Sequence, residues 1–337
     1  MKNNSINNAA TNNNFNNNNL GGIAMMNGTI NNMKDFADTI RAAVEVSLGA
    51  GYEIEIHDVL KNNSTHLTGL TIRDEEYNVA PTIYLEDFFE KYRNGIGLDR
   101  IIEEIEVVHN SHKAECDFDP SMVTDFDRVK NKVCYKLVSA PRNKELLCDA
   151  PHLIVCDDLA VLFYILVSSD YESTATITVR NNMTESWGVS ADGLFKIALV
   201  NTQSLFRGSV RSMASVLMDL LGDCLDGEGS KEFYDMAVSG EDKAPMYVCT
   251  NDRKLNGAGV ILYKDLLKEF ADRTGRDFYI LPSSIHETLL VPVSEDMEPD
   301  YLRAMVREVN ATQVAEDEVL SDNVYLYQRA TDEIKLA

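Results

Sequence analysis

No apolar run in this chain is long enough to cross a bilayer as a helix. The longest, residues 159–167, is nine residues and follows Asp157-Asp158, whereas a span needs about 20. The six cysteines, Cys116, Cys134, Cys148, Cys156, Cys224 and Cys249, include no C-x-x-C pair. Most sit beside apolar neighbours, so they read as buried free thiols rather than a disulfide framework. The amino terminus has no basic segment followed by an apolar one, which argues against a secretory signal. These absences predict a cytoplasmic protein with no membrane association, in which the sequons at Asn63 and Asn182 are incidental. Also missing are a P-loop, a dinucleotide glycine fingerprint, H-E-x-x-H and G-x-S-x-G. Nucleotide hydrolysis and standard hydride transfer are thereby disfavoured, and no cofactor is expected.

Basic residues are scarce: 31 Lys and Arg stand against 54 Asp and Glu, for a net charge of −23 over 337 residues. Nucleic-acid affinity rests largely on Lys and Arg displacing counterions, so a chain this acidic is a poor partner for phosphate backbones. The acid excess is spread along the chain, which favours solubility and suits a protein partner.

What is present begins with asparagine, which fills 14 of the first 32 positions. Such a stretch has almost no apolar surface to offset ordering entropy, and residues 1–32 are expected to be disordered. An internal translation start at Met25, Met26 or Met33 is an equal expectation. The remaining length suits two units of α+β class, with mixed, largely antiparallel sheets and packed helices: residues 33–118 and residues 119–337.

In the first unit, Phe36, Ile40, Val44 and Leu48 form a helical stripe closed by Gly49 and Gly51. Two strands follow, joined by a turn at Asn62-Asn63-Ser64, then a third at residues 82–85 and two helices. In the second unit, residues 133–138, 159–167 and 174–180 read as strands, and Ser190 caps a helix over 191–200. Residues 246–250 and 257–262 are predicted strands, followed by a helix over 264–273 closed by Gly275. Strands at 278–281 and 288–291 come next, then a helix opened by Pro299 and an edge strand at 324–327.

The sharpest cluster of reactive side chains is Ser283, Ser284, His286 and Glu287, between two predicted strands. A serine near a histidine held by a carboxylate is the pattern of a nucleophile and its base. Residues adjacent in sequence seldom meet in that geometry, and serines satisfying turn amides account for the same residues. Asn251, Asp252 and Arg253 could join His286 and Glu287 in one polar binding cluster, although Asn256-Gly257 also suits a hairpin loop. His109, His112 and Cys116 share a helical face at metal-like spacing, but without a fixed fourth ligand, and a metal is not expected. The stretch from Met183 to Ser190, with Gly188 ahead of a helix, resembles a helix-turn-helix. The would-be reading helix carries Lys196 as its one base and also Asp192, and Trp187 reads as a core anchor.

Several stretches carry a resemblance: Val59-Leu60-Lys61-Asn62-Asn63, Ala80-Pro81-Thr82-Ile83-Tyr84-Leu85, Met246-Tyr247-Val248-Cys249-Thr250-Asn251 and, most specific, Phe278-Tyr279-Ile280-Leu281-Pro282-Ser283-Ser284-Ile285-His286-Glu287. Through them the chain from about Met33 onward resembles an uncharacterised bacterial family, a domain of unknown function found mainly in gut Clostridia. The Asn-rich start departs from it. The resemblance implies a bacterial cytoplasmic setting and brings no activity, substrate or cofactor. The expected function is therefore non-catalytic binding of a partner, with a hydrolase built on Ser283, Ser284, His286, Glu287, Asn251 and Asp252 as the alternative.

Overall fold

A computed structural model describes residues 30–74, 82–112, 120–169, 174–222, 245–295 and 297–337. Cys116 and Cys224, Ala80-Pro81 and most of the Asn-rich segment lie outside the described residues. The described chain forms two compact units, one from residues 30–59 and 66–112 and the other from residues 60–65 and 120–337.

The first unit opens with α1 (Met33–Leu48), capped by Asn32, whose side-chain oxygen accepts from the Asp35 amide at 2.9 Å. Its stripe of Phe36, Ile40 and Val44 is fully buried. Gly49 ends the helix at φ 76°, a conformation that costs glycine nothing. Strands β1 (Tyr52–Leu60), β2 (His66–Asp74) and β3 (Thr82–Tyr84) follow in the spatial order β1-β2-β3. Helices α2 (Glu86–Arg93) and α3 (Leu98–His112) complete the unit. The core joins Phe36 and Ile40 to Leu70 and Ile72 of β2 and to Ile101 and Ile105 of α3. Each such side chain contributes about 1.5–3 kcal/mol by leaving water. The order of elements is the one the sequence pattern predicts.

Among the described residues, the 120–337 part of the second unit opens with a 3-10 helix (Pro120–Thr124) and the short α4 (Phe126–Val129), and it contains two sheets. In the four-stranded one, β6 (Leu159–Ser169) is central. It pairs with β4 (Val133–Ser139) on one side and with β5 (His152–Val155) and β7 (Thr174–Thr178) along its length. The six-stranded sheet runs in the order β13-β12-β10-β11-β9-β8, from β8 (Gly208–Ser212), β9 (Tyr247–Asn251), β10 (Phe278–Pro282), β11 (Thr288–Pro292), β12 (Tyr325–Gln328) and β13 (Glu333–Leu336). Every pairing described in these two sheets is antiparallel. The helices are α5 (Lys144–Cys148), α6 (Asn181–Trp187), α7 (Ala191–Leu205), α8 (Met213–Gly222), α9 (Lys264–Thr274) and α10 (Pro299–Thr312).

One face of each sheet enters a shared core: Val133, Tyr135, Val161 and Phe163 from the first, Cys249, Phe278, Ile280 and Tyr325 from the second, with Leu194 of α7 and Phe270 of α9. The other face of β10 carries Tyr279 and Leu281 into a second cluster under Leu302 and Val306 of α10. Strand β10 is therefore apolar on both faces, which explains its unbroken hydrophobic reading.

Three expectations need correction. Residues 257–262 are a 3-10 helix (Gly257–Leu262), not a strand. A short apolar run buried on all sides has no periodicity to separate the two, and here the chain packs closely on its neighbours. A Cβ on Gly257 would lie 2.2 Å from Thr250 Oγ1 and 2.3 Å from the His286 carbonyl oxygen. Strand β12 is not at the edge, because β13 covers it. Cys148 is exposed at the end of α5, whereas Cys134 and Cys249 are buried.

Candidate functional site

The loop from β10 to β11 holds its own polar groups. The Ser283 and Ser284 amides donate to the Glu287 carbonyl at 3.3 and 3.2 Å, and the Ser284 hydroxyl accepts from the His286 amide at 3.0 Å. Ser283 Oγ lies 3.3 Å from Glu287 Oε1. These are turn bonds of the kind serine makes to a nearby backbone.

The His286 ring meets partners from outside its own loop. Its Nδ1 accepts the Asn256 amide hydrogen at 3.1 Å, so the ring hydrogen of the neutral tautomer sits on Nε2, 3.4 Å from Glu318 Oε1. The His286 carbonyl accepts from Thr250 Oγ1 at 2.7 Å, and the Ile285 amide donates to the Glu318 carbonyl at 2.8 Å. A general base needs a ring nitrogen with an open lone pair next to the hydroxyl. Here the one open lone pair is taken by a backbone amide.

Asn251 is buried and organises the neighbouring loop. Its Oδ1 accepts from the Arg253 and Leu255 amides at 3.1 and 3.3 Å, and its Nδ2 donates to the Leu255 carbonyl at 2.8 Å. Asp252 and Arg253 are exposed on that loop, with the Asp252 amide donating to the Arg207 carbonyl at 2.9 Å. The structure thus joins the 251–257 and 283–287 loops through Asn256, Thr250 and His286. The sequence pattern gives Asn256 only a place in a hairpin loop and gives Glu318 no role. Each is some thirty positions from His286, and no local pattern announces them.

His109 is a core histidine, buried on α3 with its ring edge-on to Tyr52 at 5.9 Å. His112 is the last residue of that helix and Cys116 lies outside the described residues. Among the described residues no three His, Cys, Asp or Glu side chains are grouped to hold a metal. Trp187 donates from its indole nitrogen to the Val123 carbonyl at 2.9 Å and packs on Phe126 at 5.2 Å between ring centres. Helix α7 buries Leu194, Ala198 and Thr202, and leaves Lys196 exposed.

A different feature has the dimensions of a ligand site. A cavity of about 420 Å³ lies beside β13, α7 and α9, walled by Val155, Phe195, Leu199, Ile261, Leu267 and Ile334. Four charged side chains line it: Lys335 pairs with Glu333 at 2.8 Å, Tyr327 donates to Asp332 at 2.6 Å, and Lys264 completes the set. Cys156 stands at the wall, with its thiol pushed up to about 11 by burial and by the charges of Asp158 and Asp157. Such a thiol is a weak nucleophile at neutral pH.

A model of the family of unknown function DUF5688 matches residues 33–329. The chain belongs to that family. No curated protein and no solved structure matches it. The matched stretch of this DUF5688 chain contains both joined loops and most of the cavity wall.

The Val59-Leu60-Lys61-Asn62-Asn63 stretch gains a physical meaning in this DUF5688 chain. Residues Leu60–Thr65 belong to the second unit. There Asn63 Nδ2 donates to the carbonyls of Glu316 and Val319 at 2.8 and 2.7 Å, and Asn62 Nδ2 donates to that of Asp317 at 2.7 Å. Asn63 and Ser64 adopt φ of 58° and 56°, a region asparagine tolerates better than most residues.

Proposed function

We propose that this protein is a non-catalytic binding protein that takes a neutral, apolar ligand into the cavity beside β13. The observation that carries this reading is the contrast between the two sites. The reactive side chains of the 283–287 loop are engaged in holding turns together, whereas the apolar cavity is built without filling side chains. Its volume, about 420 Å³, falls in the range of small-molecule pockets. The charged lining residues, Lys264, Lys335, Glu333 and Asp332, balance in sign, which favours a neutral ligand over an ionic one. The free thiols and the bacterial relatives that the sequence resembles support a cytoplasmic setting.

Titration with Nile red, a neutral apolar dye, tests the reading. Native protein is expected to bind it with saturable fluorescence, and Leu199→Trp, which fills the cavity, to lose that binding. Equal fluorescence from both proteins would refute the site. Hydrolysis through the 283–287 loop is the competing reading. Turnover of an ester, peptide or phosphoester substrate that disappears in both Ser283→Ala and His286→Ala would replace binding by catalysis.

A further inference from the structure

Four of the polar residues that line the apolar cavity, Tyr327, Asp332, Glu333 and Lys335, come from the β12–β13 hairpin. Tyr327 is buried, with its ring stacked on that of Phe278 in β10 at 4.7 Å between centres and 11° between planes. Its hydroxyl donates to Asp332 Oδ1 at 2.6 Å. Burial first, and then this hydrogen bond, hold the Tyr327 hydroxyl above its ordinary range, so it stays a donor at neutral pH. Asp332 is half-buried in the hairpin turn, and its amide donates to the Gln328 carbonyl at 2.9 Å.

A carboxylate offers two oxygens to donors. Among the described residues Tyr327 is the one hydrogen-bond partner of the Asp332 side chain, and no cation stands at ion-pair distance from it. The cations of the lining are accounted for elsewhere. Lys335 reaches Glu333 Oε2 at 2.8 Å and Gln328 Oε1 at 3.2 Å, and Lys264 is exposed, where water meets its donors. Closing the hairpin turn explains the bond from Tyr327 to Asp332 and uses Oδ1 alone. Oδ2 is left as an acceptor on the lining of a cavity walled by Val155, Phe195, Leu199, Ile261 and Leu267. Beside such walls an acceptor favours a partner with a donor, because a polar group away from water costs free energy unless it is hydrogen-bonded. Phe278, Tyr327 and the turn hold this acceptor in place beforehand, which lowers the ordering cost of binding.

We propose that the ligand of this cavity is an apolar molecule carrying one neutral hydrogen-bond donor, such as a hydroxyl, which it gives to Asp332. The proposal rests on the binding function proposed for the cavity and names the chemistry of its ligand. A neutral donor fits better than an ammonium, since Lys264 and Lys335 balance Glu333 and Asp332 in sign.

Displacement of Nile red by matched naphthalenes tests the donor. 1-Naphthol carries a hydroxyl, and 1-methoxynaphthalene presents the same ring and oxygen without one. Both are expected to displace the dye from native protein, 1-naphthol at roughly tenfold lower concentration, the contribution of one hydrogen bond to a charged group. Asp332→Asn keeps an oxygen for Tyr327, tolerates the φ of 54° and sets an amide N–H in place of Oδ2. This variant is expected to bind 1-methoxynaphthalene at least as well as 1-naphthol. Equal displacement by the two compounds in native protein, or an unchanged preference in the variant, would overturn the proposal and leave the cavity reading standing. Tighter binding of 1-naphthylmethylamine than of 1-naphthol would overturn it in favour of a cationic ligand. Nile red that does not bind native protein at all would remove the cavity reading and this proposal together. If Asp332→Asn fails to fold, the preference of native protein decides alone.

Discussion

Asn63 and Asn143 hold each other through a reciprocal pair of hydrogen bonds: the Asn63 amide donates to Asn143 Oδ1 at 2.8 Å, and Asn143 Nδ2 donates to Asn63 Oδ1 at 2.9 Å. Asn143 Nδ2 also donates to the Ser139 carbonyl at 2.8 Å, and Asn143 is fully buried. Removing its side chain leaves the Asn63 amide, Asn63 Oδ1 and the Ser139 carbonyl without this partner.

Asn143→Ala is therefore expected to destabilise the protein by about 2–4 kcal/mol, since each stranded buried group costs roughly 1–3 kcal/mol. Asn143→Asp should be no better, because a carboxylate cannot donate to Asn63 Oδ1 or to the Ser139 carbonyl. Urea denaturation measures both, and a shift within about 0.5 kcal/mol, the size of an ordinary surface substitution, would contradict the network.

Gly257 is predicted to be intolerant of any side chain. A methyl group there would sit 2.2 Å from Thr250 Oγ1 and 2.3 Å from the backbone oxygen of His286. The hydroxyl can turn away, but the carbonyl cannot move without the 283–287 loop. Gly257→Ala should cost at least about 2–3 kcal/mol, as overpacking does, read as a lower melting temperature or loss of soluble protein. A melting temperature equal to native would show that the two loops are not held as closely as described.

Alkaline stability carries a signature of Cys249. Burial pushes its thiol up to about 12, with the Thr288 side chain opposing part of that shift. A thiol in the unfolded chain releases its proton near pH 8.5, so between that pH and about 12 the folded state holds a proton that the unfolded state has lost. Stability from this group is complete below pH 8.5 and falls as pH rises through that window, by about 1.4 kcal/mol per unit. Cys249→Ala should flatten the decline measured by denaturation at stepped pH above 8.5. An identical slope in the two proteins would refute the buried thiol.

Thiol labelling should follow exposure. Iodoacetamide is expected to modify Cys148 rapidly in the folded protein, and to reach Cys134 and Cys249 only after unfolding. Cys134 is protected twice, by burial and by a thiol raised to about 11 for the same reason. Peptide mapping after timed quenching reads each site separately. Labelling of Cys249 at the rate of Cys148 in native buffer would contradict the packing of β9.

Local pattern carried much of the fold. The stripe of Phe36, Ile40 and Val44, the cap at Ser190, the stop at Gly275 and the start at Pro299 are all near-neighbour signals, and each element lies where those signals put it. Helix ends and amphipathic faces are governed by residues within a few positions of one another, so the linear order contains them. The run Gly257–Leu262 departs from its strand-like pattern because its 3-10 form packs on Thr250, His286 and Tyr135, none of them local.

The candidate site divides in the same way. The sequence by itself determined that Ser283, Ser284, His286 and Glu287 share one tight connection and that Asn251 begins another. Only the tertiary structure decided what those side chains do, because a histidine's role depends on what each ring nitrogen meets, and here Asn256 and Glu318 arrive from distant elements. The cavity beside β13 also exists only once sheets and helices are packed. Its volume is a property of three-dimensional neighbours, and no periodicity along the chain encodes it.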